Sequence, residues 1–233
     1  MVPDAPTGAW RTAVVTSITH PTPRAVVLRL RVPDRIDHLP GQHYVIRLTA
    51  DDGYVAQRSY SVASPPADPE VEFYIERLYQ GEVSSFLAEV VEVGDELEVR
   101  GPIGGWFVWD ATTPALGLAG GSGAVPFVAM LRHARVVGRT DLLRLAVSAR
   151  TREDVPYPDE LEAAGALVAL TRADRPSRRA GRLIAAELAG LVEPDGPCYV
   201  CGSAAFADGA TDLLLDSGVS AERIRVERFG PSG

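Results

Sequence analysis

The chain has 233 residues, 46% apolar and 23% charged, which is enough for one large domain or two small ones with a real core and argues against wholesale disorder. Net charge is −8 and all 23 basic residues are arginine, so general nucleic-acid binding is disfavoured and any phosphate must be held by Arg or main-chain N–H groups. No apolar run reaches the roughly 18 residues a membrane span needs, and the opening MVPDAPTGAW lacks the charged and apolar regions of a signal peptide, so the expected compartment is the cytoplasm, with no membrane partner.

Residues 8–110 alternate apolar and polar in short segments: TAVVTSI, AVVLRLRV, HYVIRLTA, QRSYSVAS, VEFYIERL and DELEVRGP. Turn clusters such as TPR, ADDG and SPPADPE separate them. Six strands spaced this way predict an antiparallel β-barrel. One segment, SSFLAEVV, reads as a short helix with Ser84 as N-cap. Residues 114–233 change style. PALGLAG, LLRLAVSAR, ALVALTR, PCYVCG and IRVERFG read as strands, and PFVAMLRHARVVG, DELEAAG, GRLIAAELAGL and FADGATDLLLDSG as helices. Strands alternating with helices predict a parallel, Rossmann-like α/β domain of nucleotide-binding type. The expected division is 1–110 for the barrel and 111–233 for the α/β domain. The first part holds 9 Arg against 16 acidic residues, the second 14 against 15.

Several stretches have the chemistry of a ligand site, each beside a plainer reading. In RSYS, Arg58 and Tyr60 share one strand face and Ser61 takes the other, with Ser59 between them. Arg can clamp a phosphate and Tyr can lie against a conjugated ring; an exposed Arg beside a cross-strand Tyr is the alternative. Gly81-Glu82-Val83-Ser84 leads into the short helix, an anion site or simply a capped helix. Gly120-Gly121-Ser122-Gly123 sits between a strand and a helix, where glycines let a pyrophosphate approach the backbone. It is neither a GxGxxG nor a P-loop. Arg150 ends one strand, and Arg172, Arg175, Arg178, Arg179 and Arg182 follow within eleven residues, an anion-binding set or a solvated loop. Cys198 and Cys201 lie three apart on an apolar strand and so point to opposite faces, a poor arrangement for a disulfide or a metal.

The order of these motifs is more specific than any one of them. RSYS, GEVSS, GPIGGWF, AGGSG, SART with YPDEL, YVCG and a terminal ERF resemble the ferredoxin–NADP reductase superfamily over nearly the whole chain, and most of all its single-chain bacterial members. The resemblance implies an FAD-binding barrel, an NAD(P)-binding α/β domain and an oxidoreductase that takes a hydride from NADPH onto FAD and passes electrons to a ferredoxin or small iron–sulfur protein serving an oxygenase. NADH in place of NADPH, FMN in place of FAD, a free-flavin reductase and a non-catalytic electron-transfer subunit are the alternatives. By the same resemblance Arg58 would hold the flavin pyrophosphate, Tyr60 would stack on the ring, and Ser61 would lie near N5. Main-chain groups of Tyr74, Ile75 and Glu76, with Gly81, Val83 and Ser84, would complete the flavin site. Gly120, Gly121, Ser122 and Gly123 would cradle the nicotinamide cofactor's pyrophosphate, and Cys201 and Gly202 would lie under the nicotinamide. Glu227 and Phe229 would close the flavin's other face. Arg150 and Arg172 end strands where the adenosine ribose should lie, and Arg182 follows; three cations there favour NADPH, while Glu153 and Asp154 nearby argue the other way. The chain departs from the family in YVCGS, where a proline is usual at Ser203, and in the four residues after Phe229.

Overall fold

The computed structural model describes residues 8–229; the tail after Phe229 lies outside them. Two compact units meet in sequence between Val108 and Trp109, two residues before the division read from the sequence.

The first unit contains β1 (Arg11–Thr22), β2 (Ala25–Arg31), β3 (His43–Thr49), β4 (Val55–Ser61), β5 (Val71–Glu76), α1 (Glu82–Glu89) and β6 (Glu96–Ile103). All six expected strands form one antiparallel sheet in the order β4-β3-β6-β1-β2-β5. Alternation explains the core. Val26, Leu28 and Leu30 on β2, Phe73 and Ile75 on β5, and Tyr44 and Ile46 on β3 turn inward together. A lone antiparallel bridge between Val62 and Phe73 joins the two sheet edges and closes the barrel. Helix α1 begins earlier than the sequence indicated. Its N-cap is Gly81, not Ser84, and no side chain caps it. Ser84 lies within the first turn, where its hydroxyl accepts the Leu78 N–H and donates to the Gly81 carbonyl, both at 3.2 Å. The hydroxyl thus closes the turn before the helix instead of capping the helix itself.

The second unit contains β7 (Ala115–Gly120), a 3₁₀ turn (Gly121–Ala124), α2 (Val125–Val136), β8 (Leu143–Ala149), α3 (Pro158–Ala163), β9 (Leu167–Leu170), α4 (Ala185–Leu188), β10 (Cys198–Ser203), α5 (Ala204–Asp216) and β11 (Ile224–Phe229). The five strands are parallel in the order β11-β10-β7-β8-β9, so the α/β expectation holds. One helix is much shorter than its apolar period implies: of GRLIAAELAGL only Ala185–Leu188 is helical. The Gly181 N–H donates to the Leu170 carbonyl at 2.9 Å, Arg178 donates to the Gly181 and Arg182 carbonyls, and Leu183 is buried. These contacts hold the segment before α4 extended. No helix among the described residues is long and apolar enough to cross a membrane.

Central strand β7 packs tightly under α2. A Cβ on Gly117 would fall 2.6 Å from the Phe127 ring and 2.8 Å from Leu145 Cδ2. Gly117→Ala should therefore overpack the unit by about 1–3 kcal/mol and lower its melting temperature by roughly 4–10 °C. A thermal melt matching the parent chain would show that this contact is slack.

Candidate functional site

In the first unit the candidate residues lie on the two edge strands and the helix that follows. β4 pairs only with β3, in the register Tyr44↔Tyr60, Ile46↔Arg58 and His43↔Ser61. Tyr60 is half-buried against the barrel core, and burial pushes its phenol pKa up, so the hydroxyl stays protonated. Arg58 is exposed, and its guanidinium donates to the Gln57 carbonyl at 2.6 Å. No carboxylate among the described residues pairs with it. Other arginines differ: Arg29 is gripped by Asp68, Glu70 and Glu72, Arg47 by Glu98 and Arg132 by Glu160. Ser59 is exposed. Ser61 is 5% exposed, and its Oγ is buried without a hydrogen-bond partner. A hydroxyl orphaned in this way costs free energy unless something other than the protein satisfies it.

Tyr74, Ile75 and Glu76 end β5, whose one ladder partner is β2. Beyond the Val62–Phe73 bridge no strand covers its far edge. Gly81 is packed against its own turn: a Cβ there would sit 2.4 Å from Ser84 Oγ. Val83 is buried in the core, so it can offer a ligand only its main chain. The first amides of α1 have no intrahelical acceptor and no side-chain cap. Glu82 would oppose an anion here, but it is drawn aside by the Tyr54 hydroxyl, which donates to it at 3.2 Å.

In the second unit the candidates gather at the C-terminal ends of the strands. Glycine there serves the protein's own packing first. A Cβ on Gly120 would lie 2.4 Å from the Phe206 ring, one on Gly202 2.6 Å from the same ring, and one on Gly123 2.2 Å from the Cys201 carbonyl oxygen. Gly121 differs, with φ +54° and open space about it; it and Ser122 are the half-buried part of the turn. Cys201 on β10 is fully buried directly beside Glu227 on β11, while Ser203 pairs with half-buried Phe229. Burial raises the Cys201 thiol well above its ordinary value, and Glu227 adds to the effect. Cys201 is thus a small neutral group. Burial also pushes the Glu227 carboxyl up to about 7. Cys198 and Cys201 are both free and buried.

The Arg172 N–H donates to the Arg150 carbonyl at 2.9 Å, continuing the β8–β9 ladder beyond the strand ends. Arg150 also approaches Asp154 at 3.8 Å. Arg172 and Arg182 are exposed, with no side-chain partner among the described residues. The wider arginine set divides. Arg175 pairs with Glu162 and Arg178 with Glu187, so these two brace the loop. Among the described residues no group of three or more His, Cys, Asp or Glu could hold a metal.

Residues 12–108 match the oxidoreductase FAD-binding domain family, and the whole fold superposes with TM-score 0.83 and 25% identity on the flavohaem-like FAD/NAD binding domain of a nitric oxide dioxygenase from Vibrio cholerae, covering 97% of this chain and 100% of that one. The first unit carries an oxidoreductase FAD-binding domain, and the chain is similar to ferredoxin reductase components of oxygenase systems. A ferredoxin–NAD(P)(+) reductase component of naphthalene 1,2-dioxygenase/salicylate 5-hydroxylase systems from Ralstonia sp. is 28% identical over 94% of this chain and 69% of its own length. A ferredoxin NADP+ reductase from Neisseria gonorrhoeae, solved with FAD and NADP bound, has the same fold at TM-score 0.80 and 21% identity, covering 94% of this chain and 98% of that one. Two residues near the motifs were not singled out from the sequence. Tyr79 is 93% exposed beside Gln80, whose φ is +58°; an aromatic in a turn next to GEVSS was the available signal. His43 stands opposite Ser61 only in the β3–β4 register, which the sequence does not display.

Glu227 makes a stability prediction with a definite sign. Its carboxyl titrates near 4.5 when unfolded and near 7 when folded, so between those values the folded chain binds more protons and stability falls as pH rises. Glu227→Gln should match the parent near pH 4 and exceed it by on the order of 1–2 kcal/mol at pH 8. Urea midpoints that differ equally at both pH values would contradict this.

Proposed function

We propose that this chain is an FAD-dependent reductase that takes a hydride from NADPH onto FAD and hands the electrons to a separate ferredoxin or small iron–sulfur protein serving an oxygenase. The observation that supports the reading is a set of uncommitted groups around β4 and α1: the orphaned Ser61 hydroxyl, the Arg58 guanidinium, which meets only the Gln57 carbonyl and no carboxylate among the described residues, and the uncapped first turn of α1. Together they fit a ligand with a polar ring edge and a pyrophosphate, so the residues present suit a flavin dinucleotide. The exposed ring of Tyr79 beside the phosphate turn favours the dinucleotide over FMN, since it offers adenine a stacking face. The acceptor class follows the reductase components to which the chain is similar.

Bound flavin supplies the conversion between a two-electron donor and one-electron acceptors. The chain's own residues do the rest. Arg58 and the amides of Glu82, Val83 and Ser84 would hold the pyrophosphate, and Tyr60 would lie against the ring. Main-chain groups of Tyr74, Ile75 and Glu76 would line the remainder, and Ser61 would offer its hydroxyl to the ring's polar edge. In the second unit Gly121 and Ser122 present the open part of the turn to the nicotinamide cofactor's pyrophosphate, with Gly120 and Gly123 bringing the backbone close. Cys201 and Gly202 form a small, uncharged floor for the nicotinamide. Glu227, poised near neutral pH, holds a proton beside it, and Phe229 gives that edge an apolar wall. Arg172 and Arg182 take the 2′-phosphate, with Arg150 partly committed to Asp154. We place the reaction in the cytoplasm, where the nicotinamide pool it draws on is kept.

The purified protein reconstituted with FAD should show flavin absorption that NADPH bleaches. Arg58→Ala should weaken FAD binding by roughly 10–100-fold, the equivalent of one charge-assisted contact of about 1.5–3 kcal/mol. A protein that takes up no flavin would refute the proposal.

Coenzyme choice is tested separately. Arg172→Ala should raise the KM for NADPH by roughly tenfold or more while leaving NADH kinetics nearly unchanged. Equal slowing of both coenzymes would remove Arg172 from the 2′-phosphate site.

A further inference from the structure

The ladder between β3 and β4 sets His43 directly opposite Ser61. Directly opposed residues of an antiparallel pair project from the same face. Just beyond them, the Val62 N–H donates to the Gln42 carbonyl at 3.1 Å. That makes 42/62 the hydrogen-bonded step and His43–Ser61 the neighbouring non-bonded step, where side chains approach most closely. By that geometry their Cβ atoms lie about 5 Å apart.

The two side chains do not satisfy one another. Ser61 Oγ is buried with no partner, and neither ring nitrogen of His43 has a hydrogen bond among the described residues. Gly104, at φ +103°, lies next to the His43 ring: a Cβ there would be 3.7 Å from Nδ1, ordinary van der Waals contact. Gln42 holds this loop, donating to the Gly104 carbonyl at 2.5 Å and accepting the Leu39 N–H at 2.7 Å. Burial depresses the imidazole's pKa. The neutral ring therefore carries one N–H donor and one bare nitrogen acceptor. A hydroxyl and an imidazole, adjacent and both without partners, complement a ligand edge with two neighbouring polar atoms.

We infer that His43 is a second flavin-binding group, acting beside Ser61 on the isoalloxazine edge where N5 adjoins the C4 carbonyl. This rests on the flavin reading of the first unit and extends it to a residue that no motif marks. His43 sets how that polar edge is held, and so bears on the ring's spectrum as well as on affinity.

The test uses the full chain, FAD titration and the visible bands of the bound flavin, with the melting temperature of the flavin-free protein as a control. His43→Ala should weaken FAD binding roughly fivefold to tenfold, the loss of one neutral hydrogen bond, and displace the visible bands. His43→Gln, which keeps a donor and an acceptor, should recover most of both. Unchanged affinity and spectrum in His43→Ala would overturn the inference while the flavin reading stands. So would equal impairment in both variants together with a lowered melting temperature, since that pattern marks a side chain that only packs. A parent chain that takes up no FAD would overturn the flavin reading itself and this inference with it.

Discussion

The first unit is governed by the way its barrel closes. Six strands leave two edges, β4 and β5, and one bridge at Val62–Phe73 joins them. An uncovered edge presents unpaired main-chain groups and is a liability that folded proteins manage by covering it. Here the candidate flavin-site residues are concentrated on those two strands. Arg58, Tyr60 and Ser61 are on one edge, and Tyr74 to Glu76 are on the other. A flat ligand bound along them would satisfy groups the chain leaves open, so folding and binding draw on the same unmet hydrogen bonds.

The second unit solves a different problem. Its turn after β7 must pass close to β10, and the distances leave room for nothing beyond hydrogen at Gly120, Gly123 and Gly202. Phe206 fills the space that Gly120 and Gly202 vacate, the Cys201 carbonyl that beside Gly123, and Ser203 caps α5 by accepting the Phe206 N–H at 3.3 Å. The glycines thus seat α5 at the strand ends, and Gly121 alone stays open. Gly120 and Gly123 belong both to a phosphate-type turn and to a packing device, which is why composition could not separate the two.

The fold was legible because periodicity reports it directly. Val26, Leu28 and Leu30 alternate, so β2 was plain, and the apolar run of β10 between Pro197 and Ser203 marked a buried parallel strand. Boundaries set by tertiary contacts were not legible. Ser84 resembles an N-cap until its hydroxyl is seen closing the Leu78–Gly81 turn, and 181–184 looks helical until the Gly181–Leu170 bond pulls it straight. The candidate site residues form contiguous motifs and could be proposed from the sequence; His43 could not, because its pairing with Ser61 exists only once residues eighteen positions apart are set in register. Likewise the arginine loop read as an anion-binding set or a solvated loop, while two of its five arginines are spent internally on Glu162 and Glu187.

Arginine pairing carries one last step. A chain without lysine has to use a single side-chain type both for bracing and for binding anions. Arg forks match carboxylates bidentately, so any arginine within reach of an acid is drawn into a bracket, as Arg132 and Arg135 are by Glu160 and Arg152 is by Asp159 and Glu162. An acidic chain makes such capture easy. For an arginine to stay available to a phosphate, acids must be kept away from it. Arg58 on the β4 edge and Arg172 and Arg182 at the strand ends meet that condition. Among the described residues they have no carboxylate partner, and neither do Arg31, Arg144 and Arg179; what sets them apart is their place, beside the candidate turns where a pyrophosphate and a 2′-phosphate would need a cation.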